Sequence, residues 1–131
     1  MAEHTNSTVE PNIGFVGLGV MGEPMCLNLA KKTRSKVIGF DLFPDPLERL
    51  AEEGVARAES LEYLADQCEL IFLSLPDGEA VKSVCCRPDG LVAHMKASST
   101  LVDMSTSPVG LTRELAAQCQ ERHIDFADAP V

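Results

Sequence analysis

From Asn12 onward the chain alternates short runs that are apolar on both faces with longer stretches in which apolar residues recur every three or four positions. Ile13-Gly14-Phe15-Val16 predicts a first strand. A helix is expected over residues 20–32, with Met21, Met25 and Leu29 at helical spacing and Leu27 and Ala30 widening the apolar face. Pro24 is compatible with that helix, because the first four amides of a helix have no internal acceptor and proline there removes nothing. The same reasoning predicts a strand over 36–41, a helix from Pro44 to about residue 53 stopped by Gly54, and a helical turn over 60–65 capped by Ser60. A third strand over 70–75 ends at Pro76, and a helix over 79–85 precedes the turn Pro88-Asp89-Gly90. Thr100 to Asp103 is a fourth strand, Ser107-Pro108 starts a helix carried by Leu111, Leu115, Ala116 and Cys119, and residues 124–128 form a fifth strand.

Strands apolar on both faces and separated by helices predict a parallel sheet covered on both sides. The expected fold is therefore α/β, a Rossmann-type doubly wound sheet ending after its fifth strand. Nothing repeats at a fixed period and no linker divides the chain. Its 131 residues, 45% hydrophobic, suit one domain over residues 12–131 behind a polar leader at 1–11. No apolar run approaches the roughly 20 residues that cross a bilayer, so no membrane association is expected. Eleven basic against 20 acidic residues give a net charge of −9, a field that repels phosphate backbones and argues against nucleic-acid partners. The five cysteines include the adjacent pair Cys85-Cys86 and no CxxC spacing, which fits reduced packing thiols in a cytoplasmic protein.

Chemistry enters directly after the first strand. Gly17-Leu18-Gly19-Val20-Met21-Gly22 matches GxGxxG, a pattern that is weak alone. Here Gly17 follows a strand, Gly22 opens a helix, and Asp41 ends the second strand nineteen residues later. In such a loop the first glycine makes the tight turn, the second lets a pyrophosphate approach the backbone, and the third lets helix and strand pack closely. Free amides and the helix dipole hold the phosphates, and the carboxylate accepts from ribose hydroxyls. Turn glycines and a solvated aspartate explain each piece separately but not their joint placement. Binders of FAD or S-adenosylmethionine share the first half of the pattern. Ligands of open α/β sheets lie beyond the carboxyl ends of strands. Leu75-Pro76-Asp77-Gly78, Asp103-Met104-Ser105-Thr106 and Asp128-Ala129-Pro130-Val131 all fall there. Ser105 or Thr106 serves equally well, by spacing alone, as a cap for the following helix. No catalytic group stands out. His94 and His123 read as bystanders, His4 lies in the leader, and no clustered metal ligands occur, so no metal is expected.

The glycine loop, read on through Glu23-Pro24-Met25 to Asn28-Leu29, resembles the N-terminal signature of the β-hydroxyacid dehydrogenases. That family includes 3-hydroxyisobutyrate dehydrogenase, tartronate semialdehyde reductase and, more distantly, 6-phosphogluconate dehydrogenase. Asp41-Leu42-Phe43-Pro44, Ser74-Leu75-Pro76, Asp103-Met104-Ser105-Thr106 and Asp128-Ala129-Pro130-Val131 extend the resemblance, in order, to the last residue. It implies cofactor contacts from Gly17, Leu18, Gly19, Val20, Met21 and Gly22 at the pyrophosphate, and from Asp41 and Leu42 at the adenosine ribose. Leu75 and Pro76 would pass beside the cofactor and Thr106 would meet its nicotinamide end. Ser105 would lie near the substrate, as would Asp128, Ala129, Pro130 and Val131, which in the family lead into a Ser-Gly-Gly loop. The resemblance further implies a sixth strand, a catalytic lysine on a long helix, and a helical domain forming a homo-oligomer, all beyond residue 131. On that basis the chain is expected to be an incomplete N-terminal unit. It would bind cofactor without catalysing, within an enzyme that oxidises a small 3-hydroxy acid or reduces the matching semialdehyde. Asp41, with no arginine in Leu42-Phe43-Pro44-Asp45, favours NAD over NADP. Two alternatives remain: a non-catalytic dinucleotide-binding or interaction module, and an imine or ketone reductase on the same scaffold.

Overall fold

A computed structural model describes residues 10–131, so the expected leader falls, apart from Glu10 and Pro11, outside the described residues. In chain order the elements are β1 (Ile13–Val16), α1 (Gly22–Lys32), β2 (Val37–Phe40), α2 (Pro44–Ala51), β3 (Ala56–Arg57) and α3 (Leu61–Gln67). They continue with β4 (Leu70–Leu73), α4 (Gly78–Cys85), α5 (Leu91–His94), β5 (Thr100–Asp103), α6 (Val109–Glu121) and β6 (Asp125–Asp128). All pairings are parallel and the sheet order is β3-β2-β1-β4-β5-β6. The chain winds outward from β1 to β3, crosses back to β4, and winds outward again to β6. The carboxyl ends of β1 and β4, paired from Ile13↔Leu70 to Val16↔Leu73, therefore flank the point where the winding reverses.

Alternate strand residues feed two cores. Phe15 and Val37 pack with Cys26 of α1 and Leu47 and Leu50 of α2. Their neighbours Val16 and Ile38 join Ile71, Leu64 of α3 and Leu115 of α6 in the second core. Adjacent strand residues face opposite sides of a sheet, so α1 and α2 cover one face and α3 and α6 the other. Phe15 and Phe72, a registered pair, stack with ring centroids 6.0 Å apart on the first face.

The α/β doubly wound class is as read, but the strand count is not: the sheet has six strands rather than five. The additional one, β3, is the dipeptide Ala56–Arg57, paired through Ile38↔Ala56 and Gly39↔Arg57. Two residues carry no periodicity, and backbone pairing alone makes them a strand. The strand read as fifth is therefore β6, at one edge of the sheet. Asp125, Ala127 and Asp128 of β6 are exposed. Helix α1 begins at Gly22 rather than near Val20, because residues 18–21 form the turn before it. Ser60 caps α3 as expected, its hydroxyl accepting from the Tyr63 amide at 3.0 Å.

Cys26, Cys68, Cys85 and Cys119 are buried free thiols and Cys86 is half-buried. Burial pushes the thiols of Cys26 and Cys68 up to about 12 and that of Cys119 up to about 11. In the unfolded chain they ionise near 9. The thiols' contribution to stability is thus constant below about pH 9 and falls as pH rises toward 11–12, where only the unfolded state has lost these protons. Each such thiol removes at most about 1.4 kcal/mol per pH unit. Urea titrations at pH 8 and pH 10.5 are expected to show a lower midpoint at the higher pH, with much of the difference abolished in a Cys26→Ala/Cys68→Ala variant.

Candidate functional site

A cleft of about 940 Å³ opens where β1 and β4 end, floored by the turn between β1 and α1. Two of its glycines are required by the backbone around them. Gly17 has φ +99°, and a Cβ there would run into the Ser74 carbonyl oxygen. A Cβ on Gly22 would run into the Gly17 carbonyl oxygen, so glycine is what allows the first turn of α1 to close on the loop. Gly19 differs: nothing lies within 4 Å of its would-be Cβ, which would project into open space on a residue lining the cleft.

The turn is fixed from below and open above. Gly17 donates its amide to the Phe40 carbonyl at 3.0 Å, and Leu18 donates to Asp41 Oδ2 at 2.7 Å. The other carboxylate oxygen of Asp41 accepts from the Phe43 amide at 2.9 Å. Asp41 therefore ties the glycine loop to the start of α2 while still lining the cleft. Each of its oxygens has a second lone pair for an incoming hydroxyl. The amides of Gly19, Val20 and Met21 meet no acceptor among the described residues. They lie at the positive end of α1, whose own ladder begins with Glu23 donating to the Gly19 carbonyl at 3.0 Å. A backbone that leaves donors free around a side-chain-less position fits a dinucleotide's pyrophosphate.

The far wall comes from β4 and β5. Asp103, fully buried, accepts from the Ser105 amide at 2.9 Å and from the Ser107 hydroxyl at 3.4 Å. That turn presents the Ser105 hydroxyl, which accepts from the Leu75 amide at 2.8 Å and pins the Ser74-Leu75-Pro76 loop beside it. Ser105 is 4% exposed, whereas Thr106 is exposed on the cleft wall. Neither caps α6, whose N-cap position is Pro108 without a side-chain hydrogen bond. The capping alternative weighed for them is thus not the one the fold uses.

Of the residues singled out as cofactor contacts, Gly17, Leu18, Gly19, Val20, Met21, Gly22, Asp41, Leu75, Pro76 and Thr106 line this one cleft. Leu42 does not: it points into solvent, 85% exposed, and Phe43 takes the place beside Asp41. Of the substrate-side residues, Ser105 and Val131 line the cleft, while Asp128, Ala129 and Pro130 lie exposed outside it. The link between them is backbone pairing that runs past β6, with the Ala129 amide donating to the Asp103 carbonyl at 2.9 Å. The sequence reading missed an ion pair at the rim. Arg49 of α2 grips Glu23 of α1 with both ends of its fork, Nε to Oε2 at 2.7 Å and Nη2 to Oε1 at 2.8 Å. Those hydrogen bonds hold the Glu23 carboxyl below its ordinary range. Residues 26 apart on different helices leave no local pattern to find. No group of three or more potential metal ligands occurs among the described residues, and no helix there is long and apolar enough to cross a membrane.

Known proteins are similar to this chain in sequence and fold. The chain is 37% identical over 119 residues to 2-(hydroxymethyl)glutarate dehydrogenase of Eubacterium barkeri, covering 91% of this chain and 39% of that one. It is 33% identical to 2-hydroxy-3-oxopropionate reductase of Escherichia coli K12, covering 91% of this chain and 40% of the relative. The solved Mycobacterium tuberculosis 3-hydroxyisobutyrate dehydrogenase with L-serine superposes with a TM-score of 0.83 at 33% identity, over 92% of this chain and 40% of that one. The chain thus spans about two-fifths of the length of these relatives. Residues 12–131 match the family described as the NAD binding domain of 6-phosphogluconate dehydrogenase, and with the glycine turn, Asp41 and the β4–β5 wall in place, this chain belongs to that family of nicotinamide dinucleotide-binding domains.

Proposed function

We propose that this chain is the cofactor-holding unit of an oxidoreductase that oxidises a small 3-hydroxy acid or reduces the matching semialdehyde. The observation that carries this reading is the open amide cradle of Gly19, Val20 and Met21 beside Asp41, at the reversal point of the sheet. Bound there, the cofactor supplies a hydride acceptor or donor. The chain's own residues hold its phosphates on backbone amides, accept from its ribose at Asp41, and wall its far end with Leu75, Pro76 and Thr106. Ser105 and residues 128–131 then border the substrate. The proposed substrate class follows from the relatives' names, and a homo-oligomeric whole protein without nucleic-acid or membrane partners goes with it. Five free cysteines favour a reducing compartment such as the cytoplasm. By this reading the chain alone binds cofactor without turning over substrate.

NAD is the proposed cofactor. A carboxylate at Asp41 suits two free ribose hydroxyls and repels a 2′-phosphate. Calorimetric titration is expected to give NAD at least about tenfold tighter than NADP, roughly 1.4 kcal/mol. Asp41→Ala is expected to narrow that gap. It is also expected to lower stability by about 1–3 kcal/mol, since the Leu18 and Phe43 amides lose their acceptor. Equal or tighter NADP binding by the unaltered chain contradicts the assignment.

A further inference from the structure

The cleft contains one cationic side chain among the described residues, and it is not free. Arg49 lines the cleft from α2, the helix that directly follows Asp41, together with Phe43 and Pro46. Its fork is closed on Glu23, which lines the same cleft from the first turn of α1. The pair sits at the rim, with side chains 61% exposed for Arg49 and 23% for Glu23. Arginine recognises carboxylate and phosphate with the same bidentate geometry, so a carboxylate already in the fork competes directly with an incoming phosphate. Glu23 alone would also be out of place, an anion in the turn that is to receive a pyrophosphate, and Arg49 neutralises it.

We infer that Glu23 is a positioning residue for cofactor selectivity: it holds Arg49 away from the adenosine end of the cleft and so withholds the guanidinium that a ribose 2′-phosphate would need. This rests on the dinucleotide reading above and adds to it a second source of NAD preference, independent of Asp41. The loop after β2 carries no arginine, so the cation at this rim comes from α2, and its availability is set by α1.

The measurement is the ratio of NADP to NAD dissociation constants, by calorimetry, for the full chain and three variants. Glu23→Gln keeps the size of the side chain and removes the charge that holds the fork. It is expected to tighten NADP about five- to tenfold more than NAD. Arg49→Met leaves Glu23 uncompensated and is expected to weaken both cofactors. The double variant Glu23→Gln/Arg49→Met has the same local net charge as the original pair, and in it the NADP gain is expected to vanish. An ion pair that only braces α1 against α2 would move melting temperature but not this ratio. Unchanged selectivity in Glu23→Gln overturns the inference, as does equal tightening of both cofactors or a gain that persists in the double variant. If the unaltered chain binds neither cofactor, the dinucleotide reading itself falls and takes this inference with it. NAD binding by the unaltered chain with an unmoved ratio removes this inference alone.

Discussion

Replacing Gly19 with valine is expected to leave the domain folded and to weaken NAD binding about a hundredfold. The would-be Cβ of Gly19 meets no atom within 4 Å, and the residue's φ lies outside the left-handed region, so the fold accepts a side chain there. That side chain would occupy the space above the free amides of Val20 and Met21. A charge-assisted hydrogen bond to a phosphate is worth about 1.5–3 kcal/mol, so the loss of one accounts for an effect of that size, roughly 2.7 kcal/mol. Gly22→Ala is the contrasting case. Its Cβ would collide with the Gly17 carbonyl oxygen, and the backbone of the loop itself would have to move. A cost of about 1–3 kcal/mol, or about 5–10 °C in melting temperature, is expected. Thermal melts paired with NAD titrations separate the two. A Gly19→Val variant that binds NAD normally would mean the phosphates lie elsewhere.

The second large effect is an absence of turnover. Transferring a hydride to or from a hydroxyl-bearing carbon requires a group within hydrogen-bond reach of the oxygen to take or give its proton. Lys31, Lys32, Lys36, Lys82 and Lys96 are all exposed and none lines the cleft. Lys96 instead pairs with Glu69 at 3.2 Å, at the amino end of β4. His94 lies on α5 and His123 between α6 and β6, both outside the cleft. General acid–base help contributes about 10²–10⁴-fold and substrate positioning a comparable or larger factor. The purified chain, incubated with NAD and 3-hydroxyisobutyrate or related 3-hydroxy acids, is expected to reduce cofactor at least about 10⁴-fold more slowly than a full-length relative. Steady turnover within tenfold of such a relative would place a catalytic group within this chain and overturn this part of the proposal.

What sequence could reveal about this site depended on distance along the chain. The strand–glycine loop–helix unit was legible because its signals are local: four apolar residues, three glycines at fixed offsets, then helical periodicity. Asp41 was legible from its offset alone, yet its bonds to the Leu18 and Phe43 amides make it a brace for the loop as well as a ribose acceptor. By spacing alone Ser105 fits a cofactor contact or a helix cap equally well; the cap is not formed, and its hydroxyl accepts from an amide 30 residues away while keeping its own proton to donate. Leu42, a cofactor contact only by resemblance, is aimed outward by the turn into α2, which brings Phe43 to the cleft instead. Strand β3 escaped because two residues hold no pattern, and Glu23–Arg49 escaped because helix–helix contacts leave none. Local rules give elements and loops, whereas the hydrogen bonds that fix a loop's shape are tertiary.

In the proposed function the β1–α1 turn and the β4–β5 wall together hold a nicotinamide dinucleotide. Amide chemical-shift mapping of the full chain during NAD addition tests it directly. Saturable shifts are expected at Gly19, Val20, Met21 and Gly22, at Asp41 and Phe43, and at Leu75 and Thr106, with the exposed surface of α6 unmoved. Shifts absent at millimolar NAD, or centred on the hollow formed by Ala116, Gln120, His123 and Phe126 instead of the glycine turn, would contradict it.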